Sequence, residues 1–339
     1  MVRMSRRRLA LAGAGALLAA PAAAQQRQAP RSYVLTTATT GGTFYPVGVA
    51  IATLIRVRLQ ASQGLNLSAI SSAGSTENVK LLRENQAQFA ILTALVGQFA
   101  AAGTGPFQQD GPQRNLRGIM PLWYNISQVI VDRRLVTTGR IGDLANLQGR
   151  RYSMGARGSG LETMNLWMLP NLGIDHTRFD LVYQGYGPTA EGIQNGTIQG
   201  SNFDAGIPTG SVTQLMANAG DRVQFLEFNE DDIRRANGGT QLLSAFVIPA
   251  NTYPNQPRPV NTVRLPNYLA CNAAVPEDDV YQITRAIFEN LPFLNNIHAA
   301  TREISLQDSL GGYPFPLHPG AIRFYRERGM NVPAALIPS

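Results

Sequence analysis

One cysteine, one lysine, three histidines and two tryptophans occur in 339 residues, and each scarcity removes a class of function. Cys271 has no partner within the chain, so no intramolecular disulfide can form and the fold must be held by its core. His176, His298 and His318 show no ligand spacing to one another, so no metal site is expected. After the first two dozen residues no apolar run approaches the roughly 20 residues that span a bilayer. A Gly-x-Ser-x-Gly elbow and a Walker A loop are both missing. The stretch Gly155-Ala156-Arg157-Gly158-Ser159-Gly160 lacks the spacing of a dinucleotide fingerprint, so no cofactor is expected. Asp231-Asp232 and Asp278-Asp279 are adjacent acids, but both read as acidic helix starts on a surface.

What the N-terminus contains is a leader. Arg3, Arg6, Arg7 and Arg8 precede the apolar run Leu9 to Leu18, and Ala22-Ala23-Ala24 supplies small residues for cleavage after Ala24. Ser5-Arg6-Arg7-Arg8-Leu9 is also compatible with twin-arginine export, and Sec and twin-arginine routes both stay open. Four of the 29 basic residues lie in this leader, which leaves 25 against 22 acidic side chains. That near balance gives no clustered basic face for nucleic acid. About 315 mature residues suffice for two domains or lobes.

Beyond the leader the pattern alternates strand and helix. Tyr33 to Thr36, Leu65 to Ile70 and Phe89 to Leu92 read as strands, separated by helical spacing over Val47 to Leu59 and a helix capped by Ser75. A second series begins near residue 131, with strands at Arg151 to Met154, Phe179 to Tyr183 and Phe203 to Ala205. Pro254, Pro257, Pro259 and Pro266 mark residues 250–267 as a connector. Amphipathic helices over Glu277 to Leu291 and Ile322 to Arg328 follow. The alternation implies α/β lobes with mainly parallel sheets.

Three stretches carry a family resemblance: Thr36-Thr37-Ala38-Thr39-Thr40-Gly41-Gly42-Thr43-Phe44-Tyr45-Pro46-Val47-Gly48, then Ser72-Ala73-Gly74-Ser75-Thr76-Glu77-Asn78, then His318-Pro319-Gly320-Ala321-Ile322-Arg323-Phe324-Tyr325. Between them lie Asp143-Leu144, Gly149-Arg150-Arg151 and Gly158-Ser159-Gly160 in order. The ordered set resembles the TAXI subgroup of solute-binding subunits of tripartite ATP-independent periplasmic (TRAP) transporters. The resemblance implies a two-lobed type II periplasmic-binding-protein fold with an interlobe cleft. It implies capture of an organic acid or acidic amino acid and delivery to the membrane subunits of a TRAP permease. The expected lobes are residues 28–130 plus 265–339, and 131–264. The chain departs from the subgroup at Thr93-Ala94, where Gln and Asp are usual, and at Leu161 and Arg157, all near the expected pocket.

The chemistry of those stretches points the same way. Gly42-Thr43, Gly74-Ser75 and Gly158-Ser159 each stand where a helix starts, and a helix start offers free N–H groups to an anion. The expected cleft is therefore lined by Thr43, Tyr45, Ser72, Ser75, Asn78, Thr93, Arg157 and Ser159, around a small carboxylate, with Arg157 as a bidentate partner. Each has a structural alternative. Ser75 reads equally as an N-cap, Arg157 as a solvated loop arginine, and Tyr45 and Tyr186 as partly buried core. Asp204 reads as structural, with a bond to a ligand amine as its alternative. Two other functions stay open: a monomeric receptor that presents its ligand to a sensor kinase, and a hydrolase with Ser75 or Ser159 as nucleophile, which needs a histidine within reach. The leader yields a direct test: N-terminal sequencing of periplasmic protein should begin near Gln25, and a chain retaining Met1 there, or held in the membrane, would refute cleavage after Ala24.

Overall fold

A helix after a strand carries the chain back along the sheet, so a following neighbour strand can pair in parallel; both sheets here are nonetheless mixed, with antiparallel as well as parallel pairs, and not mainly parallel as expected. The computed structural model describes residues 30–338; the leader and its expected cleavage site lie outside the described residues. The first series runs β1 (Arg31–Thr36), α1 (Phe44–Gln63), β2 (Leu65–Ile70), α2 (Ser75–Arg83), β3 (Phe89–Thr93) and α3 (Ala94–Ala102). β1 lies between β2 and β3, parallel to both. α1 buries Val47, Ile51, Leu54 and Ile55 on one face and ends where Gly64 turns left-handed at φ 67°, its N–H bonded to the last carbonyls.

β4 (Leu116–Ile126) then leads directly into β5 (Val129–Asp132), which belongs to a second sheet. That sheet is completed by β6 (Arg151–Ser153), followed by α4 (Gly160–Asn171), β7 (Asp180–Val182), α5 (Tyr186–Gln194), β8 (Gly200–Asn202), α6 (Gly210–Ala219) and β9 (Val223–Phe225). Its order is β7-β6-β8-β5-β9. α7 (Glu230–Ala236) starts in a capping box between Asn229 and Asp232. The chain returns through β10 (Ser244–Ile248) and β11 (Val260–Asn272), and α8 (Glu277–Phe288), α9 (Leu291–Asn295) and α10 (Pro319–Glu327) close the first lobe. Two α/β layers, one per sheet, make this the expected fold class.

Two further details differ from the sequence expectation. The stretch 250–267 is not all connector: β11 begins at Val260 and carries Pro266 inside it. A proline lacks the N–H of a ladder, and the β4–β11 register shifts between Pro266 and Tyr268, where a bulge accommodates it. The first sheet's hydrogen bonding also resumes at Ser244 rather than near 265, because β10 pairs antiparallel with β11. The tip of that hairpin packs elsewhere: Ile248, Tyr253 and Val260 join the core of the second lobe with Val212, Leu215 and Phe225. β11 thus touches both lobes. A further cluster is shared between them, with Leu95 and Val96 of α3 packed in the same group as Met164 and Met168 of α4.

Asn78 shows why α2 sits where it does. Its side chain is fully buried. The amide donates to the carbonyls of Thr37 at 2.6 Å and Ile91 at 2.9 Å, and its oxygen accepts from Thr36 Oγ1 at 2.7 Å. One residue therefore ties α2 to β1 and β3. Ser72 joins the same knot, 2.7 Å from the Asn78 oxygen. Asn78→Ala should lower unfolding stability by about 2–4 kcal/mol, because several buried polar groups lose their partner at once. Urea denaturation measures it, and a loss below about 0.5 kcal/mol, the scale of an ordinary surface substitution, would refute the clamp.

Candidate functional site

The carboxyl ends of the parallel strands in both sheets face each other, and the lobes are closed. Thr43 Oγ1 donates to the Gly206 carbonyl at 3.0 Å, and Ser211 Oγ to the Gly41 carbonyl at 3.0 Å. The Glu77 N–H donates to the Gly158 carbonyl at 2.9 Å, and the hydroxyls of Thr76 and Thr163 lie 2.9 Å apart. Each bond crosses from the first lobe to the second. The main chains approach so closely that side chains do not fit between them. A β-carbon on Gly41 would lie 2.8 Å from the Gly187 nitrogen, and one on Gly74 only 3.3 Å from the Gly160 nitrogen. Gly74 also sits at φ 137°, a region that L side chains rarely adopt.

Within this seam lies a cavity with ≈ 40 Å³ of space for the centres of water-sized molecules. By that measure it holds roughly three waters or a compact solute. Five helices begin on its wall. Thr43, Gly74, Thr93, Ser159 and Gly185 are the N-cap residues of α1, α2, α3, α4 and α5, and all five, or the residue after them, line the cavity. A helix start exposes N–H groups without intrahelical partners and carries about half a positive charge. Thr93 Oγ1 and Ser159 Oγ each cap their own helix, accepting from the N–H of Val96 and Glu162. α1, α2 and α5 have no side-chain cap. Glu77 and Glu162 stand in the first turns of α2 and α4, whereas α1, α3 and α5 have no acid there. The uncompensated positive ends therefore belong chiefly to α1 and α5, one in each lobe.

Among the described residues no lysine, arginine or histidine lines the cavity. Its charged side chain is Asp204, just beyond β8 and almost fully buried. Asn125 Nδ2 and Ser127 Oγ approach its carboxylate at 3.4 Å each. Desolvation pushes its pKa from 3.8 up to about 6, more than those two bonds pull it down. Tyr186 completes this wall: its hydroxyl donates to the Asp204 carbonyl at 2.8 Å while its ring lies against Gly42. The loop is held from behind by Gln128. Its amide donates to the Phe203 carbonyl at 2.9 Å and Thr209 Oγ1 at 3.0 Å, and its oxygen accepts from the Tyr253 hydroxyl.

Of the residues expected to line the site, Thr43, Ser75, Thr93 and Ser159 do so. Tyr45, Ser72, Asn78 and Arg157 do not. Ser72 and Asn78 belong to the knot under α2, facing the sheet instead of the cleft. Arg157 is corrected most sharply. Its side chain is 71% exposed, its guanidinium stacks 3.6 Å from the Tyr183 ring centre, and it faces Glu162 at 3.8 Å. The neighbouring Ala156 turns inward in its place. Thr39, Asn125, Tyr186 and Asp204 are wall residues outside the expected lining set, although Thr39 lies in the first motif and Tyr186 and Asp204 were weighed as candidates. Their common signal is position after a strand or at a helix start, at the edge where open α/β sheets bind ligands. Wider hollows on the surface, such as that lined by Tyr124, Glu303 and Asp308, have no such convergence of helix starts.

The profile of the NMT1-like family matches residues 35–329. Among solved structures, MatC from Rhodopseudomonas palustris with bound malate superposes with a TM-score of 0.52 at 11% identity, covering 80% of this chain and 88% of that one. The periplasmic aliphatic sulphonate binding protein SsuA from Escherichia coli gives 0.44 at 10% identity, covering 88% and 84%. At 11% identity the likeness to MatC is one of fold alone, a two-sheet α/β architecture. Among the described residues no helix is long and apolar enough to cross a membrane.

The raised pKa of Asp204 sets a stability signature. Between pH 3.8 and about 6 the folded protein holds this proton and the unfolded chain has released it, so the Asp204 contribution to stability falls as pH rises through that window. Asp204→Asn should therefore exceed the parent in stability at pH 8 by up to about 3 kcal/mol, with the gap closing near pH 4. Paired urea titrations at the two pH values test this; a gap that is equal at both would refute the desolvated carboxylate.

Proposed function

The chain belongs to the NMT1-like family, and on that premise we propose that it is a periplasmic solute receptor rather than an enzyme. It captures a small carboxylate, an organic acid or an amino acid, between its lobes. It then delivers the solute to the membrane subunits of a TRAP-type permease, the role implied by its TAXI-like motifs. The observation that carries this reading is the convergence of five helix starts on one interlobe cavity without a cationic side chain. An anion there is held by main-chain N–H groups and helix dipoles, the arrangement used for anions at helix N-termini generally. The two serines considered as nucleophiles have other duties: Ser75 Oγ accepts from the Thr93 N–H and Ser159 Oγ from the Glu162 N–H. Neither has a histidine among its described hydrogen-bond partners, which supports binding over hydrolysis.

The moving bodies in this reading are the two lobes, about 28–130 with 265–339 and about 131–264, parting at Ser127–Gln128. There the strand path changes sheet, and Thr262 Oγ1 holds the Ser127 carbonyl at 2.6 Å. Closure brings glycine backbones together, so the closed form depends on residues that carry no side chain. Calorimetry with malate, succinate, glutamate, alanine and propionate, alongside thermal shift, tests the reading, since a ligand of the folded state raises the melting point. At least one of these should bind, and silence from all would refute a carboxylate receptor. Arg157→Ala should leave the affinity of the binder within about twofold, because the guanidinium is spent on Tyr183. Gly74→Ala should weaken binding at least tenfold, about 1.4 kcal/mol, by straining the closed seam. Equal affinity of Gly74→Ala and parent would show that the seam does not govern capture.

A further inference from the structure

The charged side chain on the cavity wall has the same sign as the solute the helix starts would hold. Asp204 is 4% exposed. Its neighbours Asn125 and Ser127 reach it only at 3.4 Å, the far edge of a hydrogen bond. It has no cationic partner among the described ion pairs, and no cation lines the cavity around it. Burying a carboxylate without a cation or full hydrogen bonding is costly. An asparagine in its place would be nearly the same size and would carry no charge to desolvate. The loop that bears Asp204 is also firmly held, by Gln128 from behind and by the Tyr186 hydroxyl on its carbonyl. The carboxylate is thus presented rigidly to the cavity and kept short of partners.

We propose that Asp204 is a specificity-determining residue whose partner is an ammonium group on the solute, so that the ligand is a compact, net-neutral amino acid with a single carboxylate. The proposal rests on the carboxylate-receptor reading above and narrows it. The cavity is dipolar. The starts of α1 and α5 supply a positive end without any side-chain charge, and Asp204 supplies the negative end. A zwitterion matches both ends at once. A dicarboxylate matches only one: its second carboxylate would meet either Asp204, which repels it, or a wall that holds no arginine or lysine to pair with it. The small closed volume excludes long side chains in the same way. The desolvation that raises the Asp204 pKa is what a bound ammonium would relieve.

Matched pairs of solutes test this without altering the protein. Calorimetry at pH 7.5 compares alanine with propionate and serine with lactate, with succinate and glutamate as dicarboxylates. In the native protein the amino member of each pair should bind at least tenfold more tightly than its partner, and more tightly than either dicarboxylate. Asp204→Asn should lose at least tenfold for alanine and serine while propionate and lactate hold or gain. Propionate or lactate binding as tightly as its amino partner would overturn the proposal, as would an Asp204→Asn protein that binds alanine like the parent. Binding of succinate or glutamate alone would overturn it and leave the carboxylate receptor standing. Silence from all six and from malate would remove both, and binding of malate alone would overturn this proposal and leave the carboxylate receptor standing.

Discussion

Every helix that starts at the cavity begins with N–H groups it cannot bond to itself. The strand–helix order leaves no choice about where these starts fall: parallel strands all end on the same edge, and the following helices begin there. Two such lobes folded toward each other bring positively polarised ends together. Part of that polarity is answered locally, by the Thr93 and Ser159 caps and by Glu77 and Glu162. The starts of α1 and α5 are left unanswered, one in each lobe, and they meet where Gly41 and Gly42 come against Tyr186 and Gly187. Closure and the polarity of the cavity are therefore parts of a single electrostatic problem.

The rest of the architecture keeps those starts in register. β4 and β11 run through the join between lobes, and the Ser127–Gln128 link connects strands of different sheets. Gln128 organises the far side by holding the loop after β8. The clamp of Asn78 fixes α2 against β1 and β3, so that Gly74 and Ser75 meet Ser159 and Gly160 across the seam. On the other side of the first lobe, Asp279 of α8 binds Arg31 and Tyr33, joining the returning C-terminal segment to the first strand. Gln128, Asn78 and Asp279 do not line the cavity, yet each determines where its wall stands.

Much of this was legible in the sequence, for reasons that also mark the limit. β1 declares itself as a β-prone run before Gly41-Gly42, β2 by alternation before Gly74-Ser75, and β6 as a strand before Gly158-Ser159; Thr43, Ser75 and Ser159 follow from that. β4 stayed hidden because Gly118 and Pro121 interrupt its apolar run, and with it went Asn125. Asn78 was misplaced because a first-turn asparagine has the same sequence context whether it faces a ligand or the sheet beneath. About half a turn of helix separates the two outcomes, and only packing decides between them. Arg157 failed for a simpler reason: a one-residue difference in a glycine-flanked loop puts Ala156 inside and the guanidinium on Tyr183. Asp204 was visible but read as structural, since a single acid after a strand carries no sign of how poorly it is paired.

The seam between the lobes is built largely from main-chain atoms, at Gly41, Gly74, Gly158, Gly187 and Gly206. Main chain is indifferent to the identity of the neighbouring side chains. The seam and the wall of the cavity are consequently separable: in the proposed receptor, substitutions at Asn125 or Asp204 would retune what is recognised while the main-chain contacts of the jaws stay in place. A lineage carrying such a receptor could change its diet one residue at a time.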